Sequence, residues 1–156
     1  MILRLDVSEE EPARAVLALQ RRSYRVEADL IGYEGIPPLK EELDALRACS
    51  EEFHGWMESG RLAGAISFKR AGGEIDIYRM MVDPAFFRRG IARELLRWAS
   101  GLAGVSRVLV STAAANLPAR RLYEGEGFRL VEEVRREDGL RIVRFAKDLV
   151  IGGPTP

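Results

Sequence analysis

The sequence predicts an α/β (α+β) fold in a single domain, with a mixed, mostly antiparallel sheet of about seven strands and helices on both faces. Strand-like segments alternate along the 156 residues with segments whose apolar residues recur at helical spacing. Three consecutive strand-like runs are joined by short turns that contain glycine, which is typical of an antiparallel meander. A later run, residues 105–112, has an almost unbroken apolar centre, which predicts a strand buried on both faces.

In the first third of the chain, residues 1–7 alternate apolar and polar side chains and predict a strand. Ser8 begins a Ser-x-x-Glu pattern that marks a helix start, and we expect this helix to end near Arg25. Residues 31–38 contain two glycines and a Pro-Pro pair and predict a loop, which leads into a short helix over residues 39–48.

The remaining elements follow from the same two periodicities. Six further strands are predicted, over residues 53–58, 62–69, 74–82, 105–112, 128–135 and 140–149. One helix begins near Ile91, and Asn116 caps a last helix that stops at residues 125–127. We expect the domain to span residues 1–150 and residues 151–156 to form a flexible tail.

Charge and composition restrict the classes of partner and compartment. The chain has 24 basic and 24 acidic residues, so no net field draws it to nucleic acid or to an anionic membrane, and phosphate binding must be local. It has no long apolar run and no signal-peptide pattern at its start, which predicts a cytoplasmic protein. Cys49 is the only cysteine and His54 the only histidine, so neither a disulfide nor a metal site is expected.

Residues 82–96 run from a strand through an arginine-glycine turn into an amphipathic helix. Pro84 ends the strand, while Gly90 and Ala92 remove side-chain bulk where a ligand could approach. The helix beginning near Ile91 points the positive end of its dipole at that space, which favours an anion such as phosphate. The alternative is a surface helix capped by a turn.

Three arginines, Arg88, Arg89 and Arg93, lie in this turn and the first helical turn. A cation at a helix N-terminus opposes the helix dipole, so their presence there favours a bound anion with which they form charge-assisted contacts. The alternative interpretation is that they are solvated side chains at the start of a helix.

Two segments together resemble the GNAT superfamily of acetyl-CoA-dependent N-acetyltransferases, and the order of elements agrees with that family from residue 1 to about residue 150. Residues 76–96 are similar to its pyrophosphate-binding segment, in which Val and Asp-Pro lead to Arg-x-Gly-x-Gly or Ala. Residues 116–128 are similar to its Asn-x-x-Ala-x-x-x-Tyr-x-x-x-Gly-Phe helix. One position departs from the pattern, because Phe87 stands where the family usually has Gln or Arg.

The resemblance implies that the protein binds acetyl-CoA as a cosubstrate, without a metal. The turn and helix start would hold the pyrophosphate through Arg88, Arg89, Gly90, Ile91, Ala92 and Arg93. The main chain of Met80, Met81 and Val82 would pair with the pantetheine arm, and one of these amides would polarise the thioester carbonyl. Asn116 would bond the pantetheine amides, which is compatible with a second role as the helix cap.

For catalysis, the resemblance assigns Tyr123 as the general acid that protonates the departing thiolate. The alternative is a core tyrosine that packs beside its apolar neighbours. A general base must deprotonate the amine, and Asp76 lies where many family members have Glu. Glu74 is its competitor on the same face of the strand, and both could equally be ordinary surface carboxylates.

The predicted activity is direct acetyl transfer to a primary amine, with a small molecule favoured because residues 24–39 are rich in aromatic residues and proline. Acids at positions 27, 29 and 34 would suit a cationic amine, although solvated loop acids are the more common interpretation of such residues. Alternatives are a protein N-terminal or lysine acetyltransferase and a noncatalytic acyl-CoA-binding sensor. Dinucleotide binding is disfavoured, because no Gly-x-Gly-x-x-Gly follows an early strand. The oligomeric state stays open, with a homodimer among the alternatives.

Overall fold

The computed structural model describes residues 1–149, so the predicted domain end at residue 150 and the predicted tail, residues 151–156, lie outside the described residues. The described strands are β1 (Ile2–Leu5), β2 (Glu52–Glu58), β3 (Arg61–Ala71), β4 (Glu74–Val82), β5 (Arg107–Ala113), β6 (Arg129–Arg135) and β7 (Arg141–Asp148). The described α-helices are α1 (Glu10–Ile31), α2 (Pro37–Lys40), α3 (Leu43–Ala48), α4 (Ile91–Ser100) and α5 (Leu117–Gly125). None of these helices is both long and apolar enough to cross a membrane.

The seven strands form one sheet in the order β1-β2-β3-β4-β5-β7-β6. Neighbouring strands are antiparallel except for β4 and β5, which run parallel. Strands β2, β3 and β4 are the meander indicated by the short glycine turns. The predicted mixed, mostly antiparallel sheet in a single domain is therefore confirmed.

Helices cover both faces of the sheet, and each side has its own apolar core. On one face, α1 and α3 pack against β3 and β4 through residues that include Leu19, Leu46 and Met81. On the other face, α4 and α5 contribute Leu95 and Tyr123. Apolar residues in α4 recur at three- and four-residue spacing, so one face of the helix is buried while its arginines stay in water.

Helix α1 is longer than predicted, because it ends at Ile31 and not near Arg25. Gly32 is the residue that takes the left-handed conformation after the helix (φ +70°), and its amide bonds to the carbonyl of Ala28. An ion pair between Arg25 and Asp29 (2.8 Å) spans one turn of the added segment and supports it.

Two other local predictions differ from the structure. The hydroxyl of Ser8 donates to the Asp6 carboxylate (2.6 Å) and does not cap α1. The helix predicted over residues 39–48 is interrupted, because Glu41 and Glu42 are extended between α2 and α3. The Glu41 carboxylate pairs with Arg79 of β4, and this tertiary contact accompanies the break in the helix.

Strands β4 and β5 pair only as far as Ile77 and Val110. At Tyr78 the pairing of β4 with β3 shifts by one residue, and such a bulge bends a strand. Beyond this point the ends of the two strands, residues 78–82 and 111–113, form opposite walls of a cleft in the middle of the sheet.

Candidate active site

A cavity of about 650 Å³ opens where β4 and β5 separate. Its walls are the end of β4, the start of α4, the end of β5, α5 and the second half of α1. The sequence-predicted site residues that line it are Met80, Val82, Arg88, Ala92, Asn116 and Tyr123. The separation of the parallel strands therefore brings together residues from both segments that carry the family resemblance.

The end of β4 presents main-chain amides to this cavity. The amide of Asp83 bonds to the Ala63 carbonyl of β3 (2.8 Å), and because amides alternate in direction along a strand, those of Val82 and Met80 face the other way. The Val82 amide donates to the Ser23 hydroxyl of α1 (3.2 Å), and Tyr24 of α1 lines the cavity together with Met80. These two amides have the direction expected of donors to a ligand that extends β4.

The turn before α4 has the backbone of an anion-binding nest. Arg88 (φ +66°) and Gly90 (φ +75°) are both in the left-handed region, which is unusual for arginine. The first bond of the α4 ladder runs from the Glu94 amide to the Gly90 carbonyl (3.0 Å), so the amides of residues 91–93 precede the ladder. Left-handed residues next to free helix amides form a concavity that suits phosphate.

The three arginines of this segment point in different directions. Arg88 lines the cavity. Arg89 stacks over the ring of Phe86 (5.0 Å to its centre), and Arg93 is turned toward the carboxylate of Glu126 (3.9 Å). Of the three, Arg88 is the side chain whose position fits direct contact with a ligand in the cavity.

Besides Arg89 and Arg93, three further predicted residues do not present side chains to the cavity. Met81 is buried under α1 and pairs with Ala65 of β3, and Ile91 is buried in the core beneath α4. The carboxylate of Asp76 is paired with Arg144 of β7 (3.1 Å) and does not line the cavity. Met81 and Ile91 can therefore contact a ligand only through their main chains.

Tyr123 is a core residue that also lines the cavity. Its ring packs in the core against Phe128 (6.0 Å between ring centres) and Phe145 (5.8 Å), with 4% of the residue exposed. Burial, and then the charge of Glu27, raise the pKa of Tyr123 far above its usual range, so the hydroxyl keeps its proton at neutral pH.

Asn116 holds two groups at once. Its side-chain oxygen accepts from the Ala119 amide (3.2 Å), which confirms the predicted helix cap. Its side-chain nitrogen donates to Oε1 of Glu27 on α1 (3.1 Å). Burial raises the pKa of Glu27, and the bond from Asn116 offsets part of that rise.

A buried arginine fixes the wall formed by α1, α2 and α3. Arg79, next to the cavity-facing Met80, pairs with Glu41, bonds to Glu51 (2.8 Å) and bonds to the side-chain oxygen of Gln20 (2.8 Å). Burial opposes its charge, but the bonds from both carboxylates outweigh burial and leave the pKa of Arg79 above its usual range. The charge of Arg79 is therefore balanced within this network.

Two loops meet beside the far end of the cavity. The hydroxyl of Tyr33, in the loop after α1, donates to the carboxylate of Asp138 in the hairpin between β6 and β7. Asp138 also pairs with Arg136 (3.1 Å), which lines the cavity. Most of the lining at this end is apolar and comprises Val26, Leu30, Ile36, Leu140 and Ile142.

Sequence reasoning did not single out Tyr24 or the particular role of Glu27. Glu27 was one of three acids suggested for a cationic amine, and Asp29 and Glu34 instead pair with Arg25. The sequence signal for Glu27 is Gly32, because a helix α1 that continues to this glycine includes Glu27.

Comparisons with known proteins agree with this geometry. The family described as "Acetyltransferase (GNAT) domain" matches residues 34–149. UPF0157 protein YqkA of Bacillus subtilis (strain 168) is 36% identical over 146 residues, which are 93% of this chain and 43% of that protein. The chain thus spans less than half the length of this curated relative.

Solved structures share the fold at low sequence identity. The ribosomal-protein-S18-alanine N-acetyltransferase of Escherichia coli is 19% identical, with a TM-score of 0.77, over 100% of this chain and 97% of that one. The PaiA N-acetyltransferase of Thermoplasma acidophilum, solved in complex with coenzyme A, is 16% identical, with a TM-score of 0.73, over 92% and 96%. The acetyltransferase family matches most of the sequence, and the parallel strands β4 and β5 separate between the two segments that resemble this family. The chain therefore belongs to the GNAT family of acetyltransferases.

Proposed function

We propose that the protein transfers the acetyl group of acetyl-CoA directly to a primary amine of a small molecule. The observation that carries this proposal is the continuity of one cavity, which reaches from Arg88 and Ala92 at the turn to Tyr123 and Glu27. A donor lying along β4 and an acceptor lying beside α1 would meet inside it.

The donor half of the cavity supports coenzyme A as the ligand. The nest formed by Arg88, Gly90 and the first amides of α4 would hold the pyrophosphate, with the Arg88 side chain adding a charge-assisted contact. The amides of Met80 and Val82 would bond the pantetheine arm as an added strand, once the α1 hydroxyls give way. The Met80 amide would polarise the thioester carbonyl.

The chemistry requires an acid for the leaving sulfur. The amine nitrogen attacks the thioester carbon, the C–S bond breaks, and the sulfur takes a proton from the Tyr123 hydroxyl. Burial keeps the pKa of Tyr123 high, so the proton is available at neutral pH. Direct transfer is favoured over an acyl-enzyme because Cys49, the only thiol in the sequence, does not line the cavity.

A small acceptor is favoured by the shape of the far end. The Tyr33–Asp138 contact joins two loops whose neighbouring residues line the cavity, and the lining there is mainly apolar. This apolar lining suits an amine on a compact apolar body better than an extended peptide. Peptides stay an alternative acceptor class, because the E. coli enzyme of the same fold acts on an alanine of ribosomal protein S18.

The test is release of free thiol from acetyl-CoA across a panel of polyamines, amino acids, aminoglycosides and peptides, with the acetylated product identified by mass spectrometry. Turnover of small amines above peptides is the expected result. Turnover of peptides alone would move the acceptor class to proteins. Tight CoA binding in calorimetry with no turnover on any amine would favour the noncatalytic sensor, and binding of ATP or NAD in preference to CoA would overturn the proposal.

A further inference from the structure

We infer, on the basis of the transfer reaction proposed above, that Glu27 binds the ammonium group of the acceptor and removes its proton. This is the role that the sequence prediction gave to Asp76. The inference depends on where Glu27 lies, on which groups surround it and on how other carboxylates of the chain are paired.

Glu27 is the only carboxylate among the residues of the described chain, 1–149, that line the cavity. Of the arginines that line the cavity, Arg79 is already paired with Glu41 and Glu51, and Arg136 is paired with Asp138. An ammonium group that enters the apolar end of the cavity therefore has one negative group to meet.

Six of the eight other partly or fully buried carboxylates in the described chain are paired with an arginine, and the remaining two, Glu58 and Glu74, do not line the cavity. The pairs are Glu41 and Glu51 with Arg79, Glu52 with Arg70, Asp76 with Arg144, Asp83 with Arg22, and Glu126 with Arg97. Glu27 has no such partner within residues 1–149 and is held by the neutral side chain of Asn116. A carboxylate withdrawn from water without a cation is costly to the fold, and such groups concentrate at functional sites.

The surroundings of Glu27 also place it beside the reacting groups. Glu27 lines the same cavity as Tyr24, Met80 and Tyr123, and its charge contributes to the raised pKa of both tyrosines. Glu27 thus shares one cavity with the proposed acid and with the amide proposed to polarise the carbonyl. Asp76 lies outside the cavity lining, paired with Arg144.

The proton balance of the step is simple. The Glu27 carboxylate takes one proton from the ammonium, and the free amine then forms the N–C bond. The Tyr123 hydroxyl gives its proton to the sulfur as the C–S bond breaks, and the nitrogen returns a proton to the phenolate. Glu27 releases its proton to water, so each turnover yields one N-acetyl amine, one thiol and one proton.

The first test is Glu27→Gln, which keeps the size of the side chain and an oxygen for Asn116. At pH 7 we expect kcat for an alkylamine to fall at least about 100-fold, the usual minimum contribution of a general base, with CoA affinity unchanged. The matched control is Glu11→Gln, the same change at an exposed position of α1 outside the cavity lining. Unchanged kcat in Glu27→Gln would overturn the inference, as would a larger loss in Asp76→Asn than in Glu27→Gln.

A second acceptor separates proton removal from a structural role. The amine 2,2,2-trifluoroethylamine is unprotonated at pH 7 and needs no base before it attacks. The ratio of wild-type to Glu27→Gln rates is therefore expected to be near one for this amine and large for n-butylamine. An equal loss for both amines would show that Glu27 only supports the shape of the site.

Binding of n-butylammonium, followed by NMR without acetyl-CoA, distinguishes this inference from the transfer reaction itself. Saturable binding that weakens at least tenfold in Glu27→Gln is expected. If the wild-type protein binds n-butylammonium in this way but acetylates no amine, the proposed transfer reaction is contradicted and the proposed ammonium site at Glu27 is supported. If the wild type acetylates amines, and Glu27→Gln binds n-butylammonium and reacts as the wild type does, the role of Glu27 is contradicted and the proposed transfer reaction is supported.

Discussion

The side-chain nitrogen of Asn116 donates a hydrogen bond of 3.1 Å to Oε1 of Glu27, across the cavity that separates α5 from α1. The oxygen of the same amide caps α5 by accepting from Ala119. One residue thus begins the last helix and orients the only carboxylate among the described residues of the cavity wall. This hydrogen bond links residues 116–128, which resemble the GNAT family, to α1, whose sequence contains no motif of that family.

Replacement of Asn116 separates its two roles. Asn116→Asp and Asn116→Ser both keep an oxygen that can cap α5, so α5 is expected to begin at the same residue in both variants. Asn116→Asp adds a negative charge beside Glu27 and raises the pKa of Glu27 further. The acid limb of its pH-rate profile should therefore move to higher pH, and that of Asn116→Ser should move less. Identical profiles for the two variants would contradict the contact with Glu27.

Glu27→Gln is expected to stabilise the protein while it impairs transfer. Burial raises the pKa of Glu27 above its ordinary value of 4.5, so the folded state favours the protonated form. The wild type therefore loses stability as pH rises from about 4.5 through the folded pKa, whereas a glutamine does not ionise. Unfolding in urea at pH 4 should give similar midpoints for the two proteins, and at pH 7.5 the variant should have the higher midpoint.

The groups that face Glu27 are Tyr24 from α1 and Tyr123 and Asn116 from α5, and both tyrosines stay neutral over this pH range because their pKa values are raised. The stability difference is therefore assigned to Glu27 itself. A lower midpoint for Glu27→Gln at pH 7.5 would identify Glu27 as a structural residue.

Gly90→Ala tests the turn before α4. The left-handed conformation of Gly90 (φ +75°) is unfavourable for alanine by about 1–2 kcal/mol, although no atom lies within 4 Å of the added methyl group. Because the amides around it would have to shift, CoA affinity in calorimetry is expected to fall at least tenfold. Gly60→Ala is the matched control, since Gly60 (φ +77°) in the β2–β3 turn has the same conformation and the same open space. Equal CoA affinity in the two variants would exclude the turn as the phosphate site.

Arg79→Met removes the cation that two carboxylates share. It leaves Glu51, whose side chain is 8% exposed, and Glu41 uncompensated, so the unfolding free energy is expected to fall by about 3–5 kcal/mol. Burial would raise the pKa of Glu51, but bonds from Arg79 and Ser67 outweigh it and hold the pKa below its usual 4.5. The stabilisation is therefore present above pH 4.5 and lost as pH falls through the lower folded value.

Urea unfolding at pH 7 and pH 3 checks this prediction, because the difference between wild type and variant should shrink in acid. The control is Arg14→Met, since Arg14 forms an exposed pair with Glu10 (2.7 Å) and such pairs contribute less than about 1 kcal/mol. Equal effects of the two substitutions would show that the Arg79 network does not stabilise the fold.

Local sequence patterns account for most of the fold. Strand β4 has the predicted bounds, 74–82, because its turns and its alternation are encoded within a few residues. The break at Glu41 has no local signal, since it accompanies an ion pair with Arg79, which is distant in sequence. The length of α1 was underestimated because a helix end depends on tertiary packing as well as on propensity.

The same distinction applies to the candidate site. The cavity positions of Arg88, Asn116 and Tyr123 were predictable because each lies in a contiguous pattern of strand, turn or helix start. Glu27 was not distinguishable from solvated loop acids, because a helix that ended near Arg25 would leave it in a loop. The extension of α1 places it on the cavity side, within reach of a residue 89 positions later in the chain.

The most direct test of the account is Tyr123→Phe, which keeps the packing of the ring and removes only the hydroxyl. CoA affinity by calorimetry, thiol release from acetyl-CoA and acetylation of a small amine are measured on wild type and variant at pH 7. We expect unchanged CoA affinity and a fall in kcat of at least about 100-fold, because the sulfur must leave without a proton donor. Acetylation by Tyr123→Phe at the wild-type rate, with normal CoA affinity, would contradict the assignment of this cavity as an acetyl-transfer site with Tyr123 as its acid.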